Sequence, residues 1–209
     1  RGRRVERRQE PPHLRAGLRP VDHRALGRAA VLGAQLKRRR ELVNPRLQLD
    51  LHTTRRNRPG SAPPRVWSGA LVPHAGWMYS GRLAARVWAR VGQPRRVILF
   101  APHHRPGGAR WAVAPHAQWQ LPGAAIAGDP ELAARLAAAV DDWQLAARAH
   151  REEHAIEVQL PLLHRVAPEA RVIGVVLGRT NLELLTAWAK QLAAVLQTLD
   201  EPPLLVVSS

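Results

Sequence analysis

The sequence predicts an α/β domain with a mostly parallel central sheet and helices on both faces. Three observations lead there. Residues 96–101 (RVILFA), 171–177 (RVIGVVL) and 203–208 (PLLVVS) are apolar at almost every position, as strands buried on both faces must be. Stretches with helical spacing of apolar residues separate these runs, and strands alternating with helices pack as a parallel sheet covered on two sides. Helix-start chemistry also falls where the alternation needs it, as at Asp129-Pro130, a cap followed by a first-turn proline.

The elements follow in order. Residues 67–73 (WSGALVP) read as a short buried strand, and 80–91 (SGRLAARVWARV) as a helix capped by Ser80, with Leu83, Val87, Trp88 and Val91 on one face. After the strand at 96–101, residues 111–114 (WAVA) read as another. Residues 130–140 form a helix, 154–166 a helix with Pro161 early or kinking it, and 181–199 a long helix capped by Thr180. The strand at 171–177 precedes that helix and the strand at 203–208 follows it.

The 209 residues carry a formal charge of +16, which suggests a nucleic-acid binder until its distribution is read. Residues 1–66 hold 18 Lys+Arg against 5 Asp+Glu, whereas 67–209 hold 14 against 11. All seven Trp, with Tyr79 and Phe100, lie at or after Trp67. A basic stretch without aromatics lacks the large apolar groups that offset ordering entropy. The Pro/Gly/Ser-rich RPGSAPPR therefore marks a boundary near 60–66. Residues 1–66 are expected to be a disordered or mis-assigned segment, and 67–209 the organised domain. Within the first third, residues 21–42 have weak helical spacing after Asp22. An arginine-rich arm there would give weak nucleic-acid binding without base stacking. Arg outnumbers Lys 30 to 2, a composition that GC-rich coding DNA yields in any reading frame. No apolar run is long enough to cross a membrane, no secretory leader is visible, and there is no cysteine, which fits a cytoplasmic protein.

The chemistry lies where strands end. His74 follows one strand in LVPHAGWMYSG, and His104 follows another in LFAPHHRPGG. A strand–helix–strand crossover brings both strand ends to one sheet edge, the edge at which open α/β sheets bind ligands. The two imidazoles can meet there if the strands are neighbours. They then form half of a metal site, or else each bonds only its own turn backbone. Without thiolates, imidazole and oxygen donors favour Fe, Mn, Zn or Cu(II). A third stretch, REEHAIEVQLPLL, places Glu152 and Glu153 at a helix start and His154 three residues from Glu157 on one face. His154 is a candidate acid/base, ligand or substrate donor, or one member of a salt-bridge cluster. Glu157 and Gln159 within an apolar segment predict a buried polar network. His103, His116, His150 and His164 read as surface or local structural residues.

Together, VPHAGWMYSG, APHHR and EEHAIEVQLPLL resemble the motifs of the Memo-like family, whose bacterial members are called AmmeMemoRadiSam system protein B. The resemblance runs from about residue 67 to 209. It implies a fold similar to class III extradiol dioxygenases, with His74 and His104 as metal-site residues, His103 in a Ser/Asn place and His154 near the same cleft. It implies an iron or copper ion and redox or dioxygenase-like chemistry on a small molecule. The alternative is a non-enzymatic module that uses the cleft for a peptide or partner. The family's AVAG-x-FYP opening has no counterpart in residues 1–66. LLVVSS matches the strand that leads into the family's Asp-x-x-His segment, so the resemblance implies a chain truncated at Ser209 and a site lacking later ligands.

Overall fold

Strand β2 (Arg96–Pro102) shows why the apolar runs carry so few polar residues. Val97, Leu99 and Ala101 enter one core, while Ile98 and Phe100 enter the other. Strand β7 (Arg171–Leu177) does the same, with Val172 and Val176 on the first side and Ile173 and Val175 on the second. A computed structural model describes residues 67–104 and 108–209. The helix expected over 21–42 and the boundary at 60–66 lie outside the described residues.

The described residues form a mixed α/β fold around an eight-stranded sheet. Besides β2 and β7, its strands are β1 (Gly69–Val72), β3 (Trp111–Val113), β4 (Gln118–Leu121), β5 (Ala124–Gly128), β6 (Gln144–Leu145) and β8 (Leu204–Ser208). The main path runs β1-β8-β2-β7-β3-β6, and β5 joins the start of β7 while carrying β4 as a hairpin partner. The pairs β1–β8, β8–β2, β2–β7, β7–β5 and β3–β6 are parallel; β3–β7 and β4–β5 are antiparallel.

Helices cover both faces. On one lie α1 (Trp77–Trp88), α3 (Ala147–His150), α4 (His154–Glu157) and α5 (Leu160–Val166), with Trp88, Ile156, Leu160 and Leu163 in the core. On the other, α2 (Pro130–Ala139) and α6 (Leu182–Leu196) enclose Leu132, Leu136, Trp188 and Leu192.

The strands expected from apolar runs are present, and the Asp129 cap forms as expected. Its carboxylate accepts from the Leu132 amide at 3.2 Å and from Arg96 Nε at 3.0 Å. Helix α1 starts at Trp77 rather than Ser80, because the Gly76 carbonyl already accepts from the Tyr79 and Ser80 amides, and the Ser80 hydroxyl donates to the Ala75 carbonyl rather than capping. Asn181, not Thr180, caps α6 by accepting from the Leu184 amide at 2.8 Å. The helix expected over 154–166 is two helices, α4 and α5, with Val158 and Gln159 between them. The β4–β5 hairpin and β6 were not expected. The hairpin turns through Pro122-Gly123, where Gly123 has φ 77°.

Gly174, in the middle of β7, lets α4 and a tryptophan lie against the strand. A Cβ there would sit 2.8 Å from Ile156 Cδ1 and 3.0 Å from the Trp119 ring. The Trp119 indole donates to the Val172 carbonyl at 3.2 Å, so that ring is held in place. Gly174→Ala should therefore destabilise the domain by about 1–3 kcal/mol through overpacking. Urea denaturation followed by tryptophan fluorescence measures this; an unchanged midpoint would mean that α4 moves away freely.

Candidate metal centre

Two strand ends and one helix start bring three imidazoles together. His74 follows β1 and Pro73, just before the α1 cap. His104 follows β2, whose pairing extends one residue further as the His103 amide donates to the Leu177 carbonyl at 2.9 Å. His154 opens α4. The sequence condition for His74 and His104 to meet was neighbouring strands, and β1 and β2 are not neighbours, because β8 lies between them. The rings meet across it, with centroids 5.2 Å apart. His154 lies 5.0 Å from His104 and 5.9 Å from His74.

Glu153 is the residue whose importance the sequence understated. Its side chain has no exposed surface, and it caps α4 by accepting from the Ala155 amide at 3.0 Å. Its other oxygen accepts from the His104 amide at 2.7 Å, and Oε1 faces His104 Nδ1 at 2.9 Å and His154 Nδ1 at 3.4 Å. Burial opposes its ionisation. The bonds from the His104 ring, the Ala155 amide and the His104 amide outweigh that and hold the carboxyl below its usual range. Burial, then the His104 charge, lower the His74 pKa, while hydrogen bonding to the Ser208 backbone acts in the opposite sense.

His104, Glu153 and His154 each offer a ligand atom, and these atoms lie within 4.8 Å of one another. The group is thus a potential metal-binding site. Imidazoles that share an ion at about 2.0–2.1 Å have centroids roughly 4.5–5.2 Å apart, from right-angle to tetrahedral ligation. The His74–His104 and His104–His154 spacings reach that range, and the His74–His154 spacing exceeds it.

The remaining histidines divide. His150, read from sequence as a surface or local structural residue, is 7% exposed, and neither ring nitrogen has a hydrogen-bond partner among the described residues. Its ring lies 5.8 Å from that of His116 and 6.1 Å from that of Trp119. Its position on the inner side of α3 was hidden because a four-residue helix shows no periodicity. Gln159 carries the polar network expected in its segment: it is fully buried and bonds Trp88, Pro73 and Ser208.

The family model for Memo-like proteins matches residues 29–209. A MEMO1 family protein of Aquifex aeolicus is 34% identical over 144 residues, which is 66% of this chain and 51% of the relative. One from Methanosarcina barkeri is 39% identical over 116 residues, 55% of this chain and 43% of the relative, and one from Caldivirga maquilingensis is 32% identical over 117 residues, 54% and 42%. The chain is an α/β protein with a clustered His/Glu/His site at its sheet edge, and it belongs to the Memo-like family. It spans about half the length of these curated relatives. The match begins at residue 29, upstream of the boundary placed near 60–66. Among the described residues, no helix is long and apolar enough to cross a membrane.

Two outcomes follow from the electrostatics. Replacing Glu153 with Gln should cost roughly 1–3 kcal/mol at pH 7, since an amide cannot accept all of these bonds. A carboxyl with a depressed folded pKa contributes stability above its unfolded value, near 4.3, and loses it as pH falls through the folded value. The gap between wild type and Glu153→Gln should therefore narrow below about pH 4 in urea titrations; a constant gap would sink this account. For His150, burial first and then the His116 charge lower the pKa to about 4, while the Ala112 carbonyl opposes this without reaching bonding geometry. The unfolded chain then binds more protons between pH 6.5 and about 4, so native stability falls across that window as pH drops. His150→Gln should flatten that part of the stability–pH curve, and an unchanged slope would count against it.

Proposed function

We propose that this Memo-like domain holds one iron or copper ion between His74 and His104, and that His154 is the acid/base toward a small substrate in the same cleft. The observation carrying this reading is the convergence of three imidazoles at one sheet edge over a buried, multiply bonded carboxylate. Such an ion supplies Lewis-acid and one-electron redox chemistry when bound. His74 and His104 take the ligand roles because they match the histidines of the family's PHAG and GPSH motifs; their 5.2 Å ring spacing is compatible with a shared ion, as is the 5.0 Å between His104 and His154, and burial favours neutral His74. Glu153 accepts from His104 and so orients its ring, the usual task of a carboxylate behind a ligating histidine. His154 is assigned to proton exchange because 5.9 Å from His74 is wider than shared ligation requires. Its Nδ1 faces Glu153, so Nε2 is the atom that gives or takes the proton. The redox or dioxygenase-like character of the chemistry rests on the resemblance of the Memo-like family's fold to that of class III extradiol dioxygenases.

A second reading has its own support. Met78 and Tyr79, in the first turn of α1 beyond His74, are 85% and 80% exposed. They suit a module that binds a peptide or partner beside the cleft without turnover.

Elemental analysis decides between them. The chain is purified without added metal or chelator, beside His74→Ala, His104→Ala and His154→Ala. Close to one iron or copper per chain is expected in wild type and in His154→Ala, with binding weakened at least about tenfold in the other two. A folded wild type that carries no metal, and takes up none anaerobically, would overturn the metal reading in favour of the binding module.

A further inference from the structure

We infer that Gln159, acting through Ser208, fixes the His74 imidazole as the tautomer protonated at Nδ1, leaving the Nε2 lone pair for a ligand in the cleft. The value of that lone pair to an ion rests on the metal reading above; the tautomer itself does not.

The assignment follows from which atoms can donate. Trp88 Nε1–H is only a donor, and it lies 2.9 Å from Gln159 Oε1. The Pro73 carbonyl is only an acceptor, and Gln159 Nε2 donates to it at 2.9 Å. These two partners set the amide's orientation without ambiguity. The second Nε2 hydrogen is directed to Ser208 Oγ at 3.2 Å. Ser208 has one hydroxyl hydrogen, and its shortest acceptor is the Ala155 carbonyl at 2.8 Å. With that hydrogen committed and one lone pair taken by Gln159, Ser208 Oγ can only accept from His74 Nδ1, 3.3 Å away. His74 Nδ1 must then carry the proton. Gln159 is fully buried and Ser208 is 1% exposed, so water does not compete for these bonds.

The arrangement makes Gln159 and Ser208 positioning residues. It also explains why two polar side chains occupy a core lined by Trp88, Leu160 and Val206. His104 reaches the same state independently, because the acceptor at its Nδ1 is a carboxylate. Both strand-exit histidines therefore present Nε2.

The test uses the full chain with ¹⁵N-labelled histidine at neutral pH, without metal, and reads long-range ¹H–¹⁵N correlations of the His74 ring. The expected wild-type result is a protonated Nδ1 and an unprotonated Nε2. Ser208→Ala should give a mixture of tautomers, and Ser208→Thr, which restores a hydroxyl, should return the wild-type pattern. Co(II) affinity should fall about 10- to 100-fold in Ser208→Ala, the range for loss of a residue behind a ligand, and recover in Ser208→Thr. Gln159→Leu should match Ser208→Ala; if it does not fold, Ser208→Ala still decides. A wild-type His74 protonated at Nε2 overturns the inference. So does an unchanged tautomer in Ser208→Ala, which would assign the ring to the Ser208 backbone carbonyl instead. If the tautomer behaves as expected but Co(II) binds to neither wild type nor variant, the positioning role stands and the metal reading fails.

Discussion

The cleft depends on the placement of β8 between β1 and β2. Adjacent strands lie about 4.8 Å apart, so the ends of β1 and β2 are separated by roughly twice that distance. Two turn backbones at that spacing cannot share a small ligand. Two imidazoles that lean inward from them can, and the His74 and His104 rings close to 5.2 Å. The intervening strand must then end in something small. Ser208 does so, and it turns the gap between the rings into a hydrogen-bonded floor reaching His74, Gln159 and the Ala155 carbonyl.

A second constraint sets the opposite wall. Glu153 is an ionised carboxylate with no exposed side-chain surface, an arrangement that survives only when its lone pairs are used. Its partners come from both sides, the loop after β2 and the first turn of α4, so one side chain ties two distant parts of the chain to each other. The short helix is seated from beneath, where Ala155 and Ile156 are buried against β2 and β7. Gly174 matters to this seating, since without a Cβ the strand lets Ile156 approach closely.

Much of this frame was legible in the sequence because strands buried on both faces must be apolar throughout, and β2, β7 and β8 are. The Asp129 cap was legible because its chemistry is local. The β4–β5 hairpin was not, since AAIA has a single branched residue, Ile126, among alanines, too weak a strand signal without its pairing to β4 and β7. His74, His104 and His154 were visible as motifs, and the structure brings all three rings together. Their meeting across β8 was hidden, because strand order is not written in local sequence. Glu153 was seen only as an anion favoured by the helix dipole. Ser208 gave no signal as a single serine at a strand end. Gln159 was detectable because a lone amide among Ile156, Leu160 and Leu163 must find partners, although its partners were not.

The two strand-exit histidines are anchored by different means, and the difference bears on the chemistry available to the site. His104 leans on a buried negative charge, which favours a cation at its far nitrogen as well as orienting the ring. His74 leans on a neutral hydroxyl–amide chain, which orients the ring without adding charge, while burial keeps it neutral. A cation entering the cleft meets one imidazole backed by a negative charge and one backed by neutral groups. The excess basicity of the chain lies in residues 1–66, and residues 67–209 carry 14 Lys+Arg against 11 Asp+Glu. Among the described residues, the electrostatic preference of this cluster for a positive ion rests on Glu153, the buried carboxylate that faces the His104 and His154 rings.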